Sequence, residues 1–325
     1  MLQYVYSSAL APYISGLLDE KRSMGYTYDN EAKMFRRFDK YWSENNGDLK
    51  VLTPESVKLW LTQQEPTEGP STMQQKYGVV RILGLYMAGL GLPSYIPECD
   101  VHRPKPLYNI LTPEEIKAVM AEVDSYVPQN NDPKCRVMGI EKKVFYRLIL
   151  TTGMRNNECC TICIKNIDLK DKTITLYKAK GHKDRLVYFA DDVADMLKDY
   201  IKFLKSAFGN TIERLFPGYD PKAPMSSSNV RNFFSECWSR TAFAESCEQK
   251  PTVHSLRHTY TCMRINQWAL EGKDVDQMID YLCRQLGHKS RNETYTYYHQ
   301  VMEAFKIIQQ KTANEADLFP EVKRR

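Results

Sequence analysis

The sequence predicts a mainly α-helical chain in two domains, with a small antiparallel β-sheet in the second domain. Its 325 residues exceed the roughly 150 that one domain usually needs. Apolar residues recur at helical spacing through most of the chain. Only two short runs, 173–178 and 185–189, are rich in strand-forming residues, and the segment between them suits a hairpin turn.

The composition is that of an ordinary globular protein. Hydrophobic residues make up 42% and charged residues 26% of the chain, which disfavours wholesale disorder. No apolar run is long enough for a membrane span, and the start lacks the basic and apolar blocks of a secretion signal. The nine cysteines are an odd number, as expected for reduced thiols. We therefore expect a cytoplasmic protein without a membrane partner.

The first hundred residues predict helices joined by short links. Thr53 offers a capping side chain, and Pro54 then occupies the first helical turn. Helices of this length form a small bundle. Apolar residues recur at helical spacing in four segments: 10–18, 30–42, 54–61 and 74–90.

A proline-rich segment separates the two predicted domains. It contains four prolines that no helix could accommodate: Pro93, Pro97, Pro104 and Pro106. We predict an N-terminal domain over 1–104, a second domain over 105–313 and a C-terminal tail over 314–325. The second domain opens with a predicted capping box, formed by Thr112 and Glu115 with a proline between them.

The net charge of the chain beyond residue 104 is compatible with a polyanionic partner. Residues 1–104 carry a net charge of −1, and the rest of the chain carries +6. This excess suits nucleic acid, although a solvated surface explains it equally well.

The second part also contains predicted helices. A helix over 142–150 precedes a Thr-Thr-Gly turn, and another starts at Asn156. Further helices are predicted beyond the hairpin: 191–206, 227–242, 254–270, 275–286 and 300–311.

Four short motifs in this part could carry chemistry, and each alone also fits an ordinary surface or core. The first is the turn Thr-Gly-Met-Arg at 152–155. Its glycine lets the chain turn sharply, so Arg155 comes to a helix N-terminus, where backbone N–H groups favour an anion. Glu158 lies three residues further on and can hold the guanidinium in place.

The second motif is the predicted hairpin, which carries Lys178, Lys180, Lys183 and Arg185. Cations on a two-stranded ribbon can enter a DNA groove, although a solvated turn carries the same residue types. We take Lys178, Lys183 and Arg185 as candidate DNA-binding residues, together with His258.

The third motif, His-Ser-Leu-Arg-His at 254–258, places His254 and Arg257 on one helix face. An arginine fork and an imidazole that converge on one point suit a phosphate. A zinc site would need an H-E-x-x-H pattern or a second pair for the C-x-x-C at 160–163, and the sequence has neither. We therefore predict no metal.

The fourth motif is Leu-Gly-His at 286–288, which is followed by tyrosines at 295, 297 and 298. Tyrosines usually pack in a core or stack on a partner, but one of these could be a nucleophile.

In this order, the motifs resemble the tyrosine recombinases, also called phage integrases. That family shows T-G-x-R, a hairpin lysine, H-x-x-R, L-G-H, and a tyrosine nine residues after the last histidine. The resemblance covers about residues 110–300, and His299 matches the family's frequent Y-x-H ending. The pattern falls on six residues of this chain: Arg155, Lys180, His254, Arg257, His288 and Tyr297.

The chain departs from the family pattern in two places. The stretch between the third and fourth motifs is longer than usual, and three tyrosines cluster near the nucleophile position. The register favours Tyr297, with Tyr298 as its rival. Lys180 fits the family's x-K-G-x-K turn best, and Lys183 and Lys178 are the alternatives.

The resemblance implies a four-helix SAM-like core-binding domain followed by a recombinase catalytic domain. Arg155 and Arg257 would hold a DNA phosphate, supported by Glu158, while Tyr297 attacks it to give a 3′-phosphotyrosine and a free 5′-hydroxyl. Lys180 would protonate the leaving oxygen, and the histidines of the third and fourth motifs would serve acid–base and orienting roles. Because the covalent link stores the bond energy, no cofactor is expected.

The resemblance also implies the partners. They are double-stranded DNA with inverted-repeat core sites and further copies of the chain, as a dimer on each site and a tetramer in the synapse. An accessory directionality factor or a host DNA-bending factor is a further candidate. The tail carries Leu318 and Phe319, and we expect it to dock on a neighbouring protomer.

The small first domain leaves no room for the arm-binding domain of larger phage integrases, which indicates a compact member. We expect the integrase of a mobile element, a transposon or a prophage. Three alternatives stay open: an Xer-type resolvase of chromosome or plasmid dimers, a type IB topoisomerase that relaxes supercoils as a monomer, and a DNA-binding relative without catalysis. The complete set of six residues disfavours the last.

Overall fold

The chain divides into two compact units, residues 1–106 and 107–325. The computed structural model describes seven ranges: 3–62, 68–99, 101, 108–128, 133–179, 183–218 and 220–298. Three predicted features lie outside the described residues: Lys180, the helix over 300–311 and the tail over 314–325.

The described part of the first unit is a set of four helices around an aromatic core. A proline lies in the first turn of three of them. The N–H that proline lacks would have had no partner within the helix at this position. The Phe38 ring lies 4.8 Å from that of Trp60 and 5.4 Å from that of Trp42. The helices are α1 (Ala11–Ser23), α2 (Asp29–Asn45), α3 (Pro54–Thr62) and α4 (Pro70–Gly89).

The second unit is built around one long helix, α6, which packs against α8 and α10. Phe145 and Tyr146 of α6 are fully or almost fully buried, and the Tyr146 hydroxyl donates to the carbonyl of Val230 at 2.7 Å. The described helices of this unit are α5 (Pro113–Ser125), α6 (Pro133–Thr152), α7 (Asn156–Cys160), α8 (Asp191–Phe208), α9 (Ser227–Ser239), α10 (Val253–Leu270), α11 (Val275–Leu286) and α12 (Arg291–Tyr298).

The predicted capping box at the start of α5 is present. Thr112 accepts from the backbone N–H of Glu115 at 3.2 Å, and the Glu115 carboxylate accepts from the N–H of Thr112 at 2.8 Å. The two bonds satisfy donors that the first helical turn leaves open, which fixes where the second unit's first helix begins.

The predicted hairpin forms the main part of a three-stranded antiparallel sheet. Its strands are β1 (Ile167–Asp168), β2 (Thr173–Ala179) and β3 (Lys183–Tyr188), in that order. Ile174 pairs with Val187, and both side chains are fully buried, while Leu186 faces outward. Since side chains alternate along a strand, Arg185 shares the inward face with Val187. The predicted fold class, mainly helical with a small antiparallel sheet, is confirmed.

Some elements differ from the prediction. Helix α6 starts at Pro133, well before residue 142, and neither β1 nor α12 was predicted. Among the described residues, no helix is both long and apolar enough to cross a membrane.

Candidate active site

A tight turn between α6 and α7 places Arg155. Gly153 has φ +68°, and a Cβ there would lie 2.5 Å from the Tyr260 ring and 2.7 Å from the Leu286 side chain. Glycine is therefore required on both conformational and steric grounds. Arg155 follows as the residue that caps α7, so the helix begins directly behind its side chain.

Two anchors fix the Arg155 guanidinium. Nη1 donates to Glu158 Oε1 at 2.9 Å, and Nη2 donates to the carbonyl of Gly287 at 3.0 Å. The Glu158 carboxylate also accepts from the Arg155 backbone N–H at 2.9 Å. The contact expected between Glu158 and Arg155 is thus present, and 21% of the Arg155 side chain stays exposed.

Glu158 is held ionised by two arginines. Burial by itself would raise its pKa, but the Arg185 fork and then Arg155 outweigh burial and lower the pKa to about 2. Arg185 donates through both Nη atoms, each at 2.7 Å from a carboxylate oxygen. A charged, doubly paired carboxylate in this position gives Arg155 a fixed orientation.

Arg257 is the most deeply buried cation of the site. It lies on α10 with 2% of its surface exposed. Nη1 donates to the carbonyl of Gly153 at 2.6 Å and Nη2 to that of Leu286 at 2.8 Å. Burial, with Arg155 next in importance, lowers the pKa of Arg257 to about 9, so its guanidinium stays charged at neutral pH.

The Leu-Gly-His turn ends α11 and joins the two arginines. Gly287 adopts the left-handed conformation that closes the helix, and its carbonyl and that of Leu286 each accept from one of the two arginines. His288 Nδ1 is hydrogen-bonded to Thr294 Oγ1 at 2.7 Å. Burial and then the charge of Arg257 lower the pKa of His288 to about 3, so the ring is neutral at physiological pH.

Tyr297 lies close by on α12, in a closed aromatic environment. Only 3% of its surface is exposed, and its hydroxyl is hydrogen-bonded to His258 Nδ1 at 2.7 Å. Its ring stacks on Tyr108 at 4.6 Å and is nearly parallel to the His288 ring at 6.2 Å. Burial raises the pKa of Tyr297, against the opposing charge of Arg257.

His258 and His254 have different surroundings although both belong to the third motif. His258 is buried, and desolvation and then His254 lower its pKa to about 3. His254 is exposed at the first turn of α10, with its ring 4.5 Å from that of His258.

The structure therefore brings together Arg155, Arg257, His288 and Tyr297, with His254 at the edge. Lys180 lies outside the described residues, and the same holds for the side chains of three further candidates: Lys178, Lys183 and Tyr298.

Two residues predicted to contact DNA lie elsewhere than expected. The Arg185 side chain is 9% exposed and bound to Glu158, and His258 is buried against Tyr297. Their positions favour internal roles, because both use their polar atoms within the site.

Sequence reasoning missed three residues of the site: Tyr108, Thr294 and Gln285. Tyr108 belongs to a segment held on α10, where the Leu111 N–H donates to Thr259 Oγ1 at 2.9 Å. None of the three belongs to a recognisable motif. For Thr294, its place on the short segment between His288 and Tyr297 was the one available signal.

An open groove of about 1130 Å³ adjoins Arg155. Its lining includes the cations Arg155, Lys165 and Arg231, with His254 beside them. Arg257 and Tyr297 do not line it. Within the described ranges, no group of three or more His, Cys, Asp or Glu side chains could hold a metal ion.

Comparison with known proteins identifies the class. The model of the phage integrase family matches residues 109–304. Because this match spans more than half of the chain, the protein belongs to the phage integrase family, the tyrosine recombinases, which cleave and rejoin DNA. The resemblance inferred from the sequence motifs is confirmed.

Individual relatives are distant but extend over most of the chain. Tyrosine recombinase XerC of Oceanobacillus iheyensis is 23% identical over 299 residues, 88% of this chain and 90% of that protein. A lambda integrase tetramer bound to a Holliday junction has a TM-score of 0.63 at 14% identity, covering 88% of this chain and 76% of that one. The Tn1549 transposon integrase, bound to transposon right end DNA, has a TM-score of 0.62 at 16% identity, covering 93% and 99%. Such similarity shows a shared fold.

Proposed function

We propose that this protein is a site-specific DNA recombinase that cuts and rejoins strands through a 3′-phosphotyrosine intermediate. One observation carries the proposal: Arg155 and Arg257 are bound to adjacent carbonyls of the 286–287 turn, which leads into His288, and the Tyr297 ring lies parallel to the His288 ring at 6.2 Å. Two guanidinium groups, a neutral imidazole and a phenol at one point match the needs of phosphoryl transfer to tyrosine.

In the proposed reaction, the Tyr297 oxygen attacks a DNA phosphorus atom and the bond to the 5′ oxygen breaks. The phenol gives its proton to His288, whose ring is neutral, and the leaving oxygen gains one from Lys180. Charge grows on the non-bridging oxygens, where Arg155 and Arg257 stabilise it. In the second step, the 5′-hydroxyl of another strand attacks the phosphotyrosine, the tyrosine leaves and a new phosphodiester bond forms. Because the covalent link conserves the bond energy, the reaction needs no external energy source.

The Tyr297 hydroxyl is engaged within the protein. A phenol that is 3% exposed and hydrogen-bonded to His258 cannot reach a phosphate in the open groove. For attack, the bond to His258 must break so that the hydroxyl can face the phosphate held by the arginine pair. The nucleophile is stored in a protonated form, since its pKa is raised by burial.

The partner that fits the groove is double-stranded DNA. Lys165, Arg231 and Arg155 line one continuous surface, and fixed cations of this kind bind phosphates. The lambda integrase structure, a tetramer on a Holliday junction, supports assembly of several protomers on DNA. We propose a dimer on each inverted-repeat site, a tetrameric synapse, a directionality or DNA-bending factor as accessory partner, and action in the cytoplasm.

The biological role that we favour is integration of a mobile element. The Tn1549 transposon integrase aligns with nearly the whole of this chain, which supports a transposon or prophage function. The similarity to XerC favours resolution of DNA dimers as the second candidate. The two differ in substrate: an integrase joins an excised circle to a separate target, whereas a resolvase acts on two copies of one site.

A nicked suicide substrate tests the proposed chemistry. The binding site is first selected from a pool of random duplexes by the purified protein. The nick is then placed so that the short fragment carrying the new 5′-hydroxyl is lost after cleavage. We expect wild type to form a covalent DNA adduct that resists boiling in detergent. Tyr297→Phe should form none, while Tyr298→Phe should retain it.

Two outcomes would contradict the proposal. No adduct from wild type on any selected site would refute cleavage, and an adduct from Tyr297→Phe would refute the nucleophile assignment. Relaxation of supercoiled plasmids lacking the selected site, by monomers, would instead indicate a topoisomerase.

A further inference from the structure

Arg185 occupies the centre of the arginine cluster although it belongs to the hairpin. It lies on the inward face of β3, and its guanidinium forms a two-pronged pair with Glu158, both bonds at 2.7 Å. The Arg185 side chain is 9% exposed and that of Glu158 11%. A two-pronged arginine–carboxylate pair adds geometric specificity as well as energy.

The same side chain contacts the 285–287 turn. Arg185 Nε donates to the carbonyl of Gln285 at 3.2 Å. A Cβ on Gly287 would lie 2.9 Å from Arg185 Cδ, so the guanidinium packs directly on the turn that accepts from Arg155 and Arg257. Glycine at 287 is thus also required by the arginine lying across it.

Gln285 extends this connection to the strand and to the first motif. Its Nε2 donates to the carbonyls of Thr152 at 3.2 Å and Tyr188 at 2.9 Å, and its Oε1 accepts from the Tyr188 N–H at 2.9 Å. The end of β3, the end of α6 and the 285–287 turn are therefore joined by one hydrogen-bonded network with Arg185 at its edge.

We infer that Arg185 is a positioning residue for the reaction: it locks Glu158 and the 285–287 turn, and through both it holds Arg155 in place to bind the scissile phosphate. The inference rests on the proposed function. It also gives the hairpin a second role. Strand β3, which follows the Lys180 segment in sequence, is linked through Arg185 and Glu158 to Arg155, the arginine that binds the phosphate. The position of β3 and the orientation of the Arg155 side chain are then coupled.

A positioning role and a DNA-contact role differ in what they change. A side chain that binds a DNA phosphate contributes to affinity, and its loss weakens binding and lowers the salt slope by about one. A side chain that only orients Arg155 makes no phosphate contact of its own. Because many contacts share the affinity, its loss should leave affinity and salt slope nearly unchanged and lower the rate of cleavage. Misplacing a catalytic group by about 1 Å can cost roughly 100-fold in rate.

The test measures DNA affinity at several salt concentrations and the rate of adduct formation on saturating suicide substrate. Arg185→Gln should form the adduct about 100-fold more slowly than wild type, with an unchanged dissociation constant and salt slope. Arg185→Lys restores one charge without the fork, so it should recover part of the rate. Glu158→Gln combined with Arg185→Gln should be no slower than the slower single variant, because both act through Arg155.

Arg147 supplies the matched control. It forms a two-pronged pair with Asp124 at 2.8 and 2.6 Å, away from the residues of the site. Arg147→Gln should change neither the rate nor the affinity. Thermal unfolding of every variant shows whether it is folded; if Arg185→Gln is not, the Lys variant decides, with a slower rate at wild-type affinity as the expected result.

Two results would contradict the positioning role of Arg185, and a third would contradict the proposed function. Arg185 variants that bind DNA more weakly with a lower salt slope, yet cleave at the wild-type rate when saturated, would overturn the positioning role. Variants that match wild type in both measurements would overturn it as well. Failure of wild type itself to form an adduct would refute the proposed function, which separates the two claims.

Discussion

The arginine pair and the nucleophile of this site are held in opposite ways. Arg155 and Arg257 are bound to fixed backbone carbonyls of the 153 and 286–287 turns, and Arg155 reaches the open groove. Tyr297 is instead enclosed by Tyr108 and bound to His258. Both arginines are thus held in a fixed orientation by the backbone, whereas Tyr297 is held by side chains and kept away from solvent.

This difference has a chemical reason. An arginine gains from a fixed orientation, because catalysis by charge requires no reorganisation when the transition state forms. A nucleophile for DNA that were permanently exposed would react without a correctly bound partner site. The following predictions test the two halves separately.

The largest effect is expected from the fixed half. Arg257→Lys keeps a positive charge but loses the planar fork whose two Nη atoms bind the carbonyls of Gly153 and Leu286. We expect adduct formation to fall by roughly 100- to 1,000-fold, about 3–4 kcal/mol in barrier height. Single-turnover cleavage of the suicide substrate measures it. A loss of less than tenfold would mean that Arg257 does not act on the transition state.

A smaller effect is expected from the histidines around Tyr297. The pKa of both His258 and His288 is lowered to about 3, chiefly by burial. Between about pH 6.5 and 3, the unfolded chain therefore binds protons that the folded chain excludes. The free energy of unfolding should decrease as the pH falls through this window, by up to about 1.4 kcal/mol per pH unit for each histidine.

Urea unfolding at pH 7.5, 6 and 5 measures this dependence. His288→Asn removes one titrating group and retains a partner for Thr294, so its stability should vary less steeply with pH than that of wild type. Equal slopes for the two proteins would show that His288 is not held neutral.

The smallest effect is expected at Tyr108. Tyr108→Leu keeps apolar bulk but loses the stacking on Tyr297, so the free energy of unfolding should fall by about 1 kcal/mol. The Tyr297 phenol should also react faster with tetranitromethane, as read by peptide mass spectrometry. Tyr177→Leu is the control, since Tyr177 is an exposed strand residue. Equal nitration of wild type and Tyr108→Leu would argue against enclosure by Tyr108.

Much of the fold and the centre of the site follow from sequence patterns. Proline positions and apolar spacing predict most of the helices, and the hairpin and the family were also predictable. The first, third and fourth motifs lead to residues that meet in space. The burial of Arg185 was not predicted, because a cation in a hairpin was read as facing DNA. The alternation of β3 holds the signal, since Arg185 shares its face with the fully buried Val187.

Helix α12 and the environment of Tyr297 escaped prediction for another reason. The segment Arg291–Tyr298 is mostly polar, so its helical spacing is weak and its position depends on tertiary contacts with α10 and α11. Tyr108 is more than 180 residues away from Tyr297 in sequence. A stacking pair at that separation follows from the packing of the whole unit and from no local pattern.

Mapping the covalent attachment site tests the central claim most directly. Wild type is trapped on the suicide substrate, the DNA is trimmed to a short nucleotide remnant, and trypsin releases the peptide 292–306, which contains Tyr295, Tyr297 and Tyr298. We expect fragmentation to place the phosphonucleotide on Tyr297. Attachment to Tyr295 or Tyr298, or a peptide without any nucleotide, would contradict the assignment of the stored tyrosine as the nucleophile.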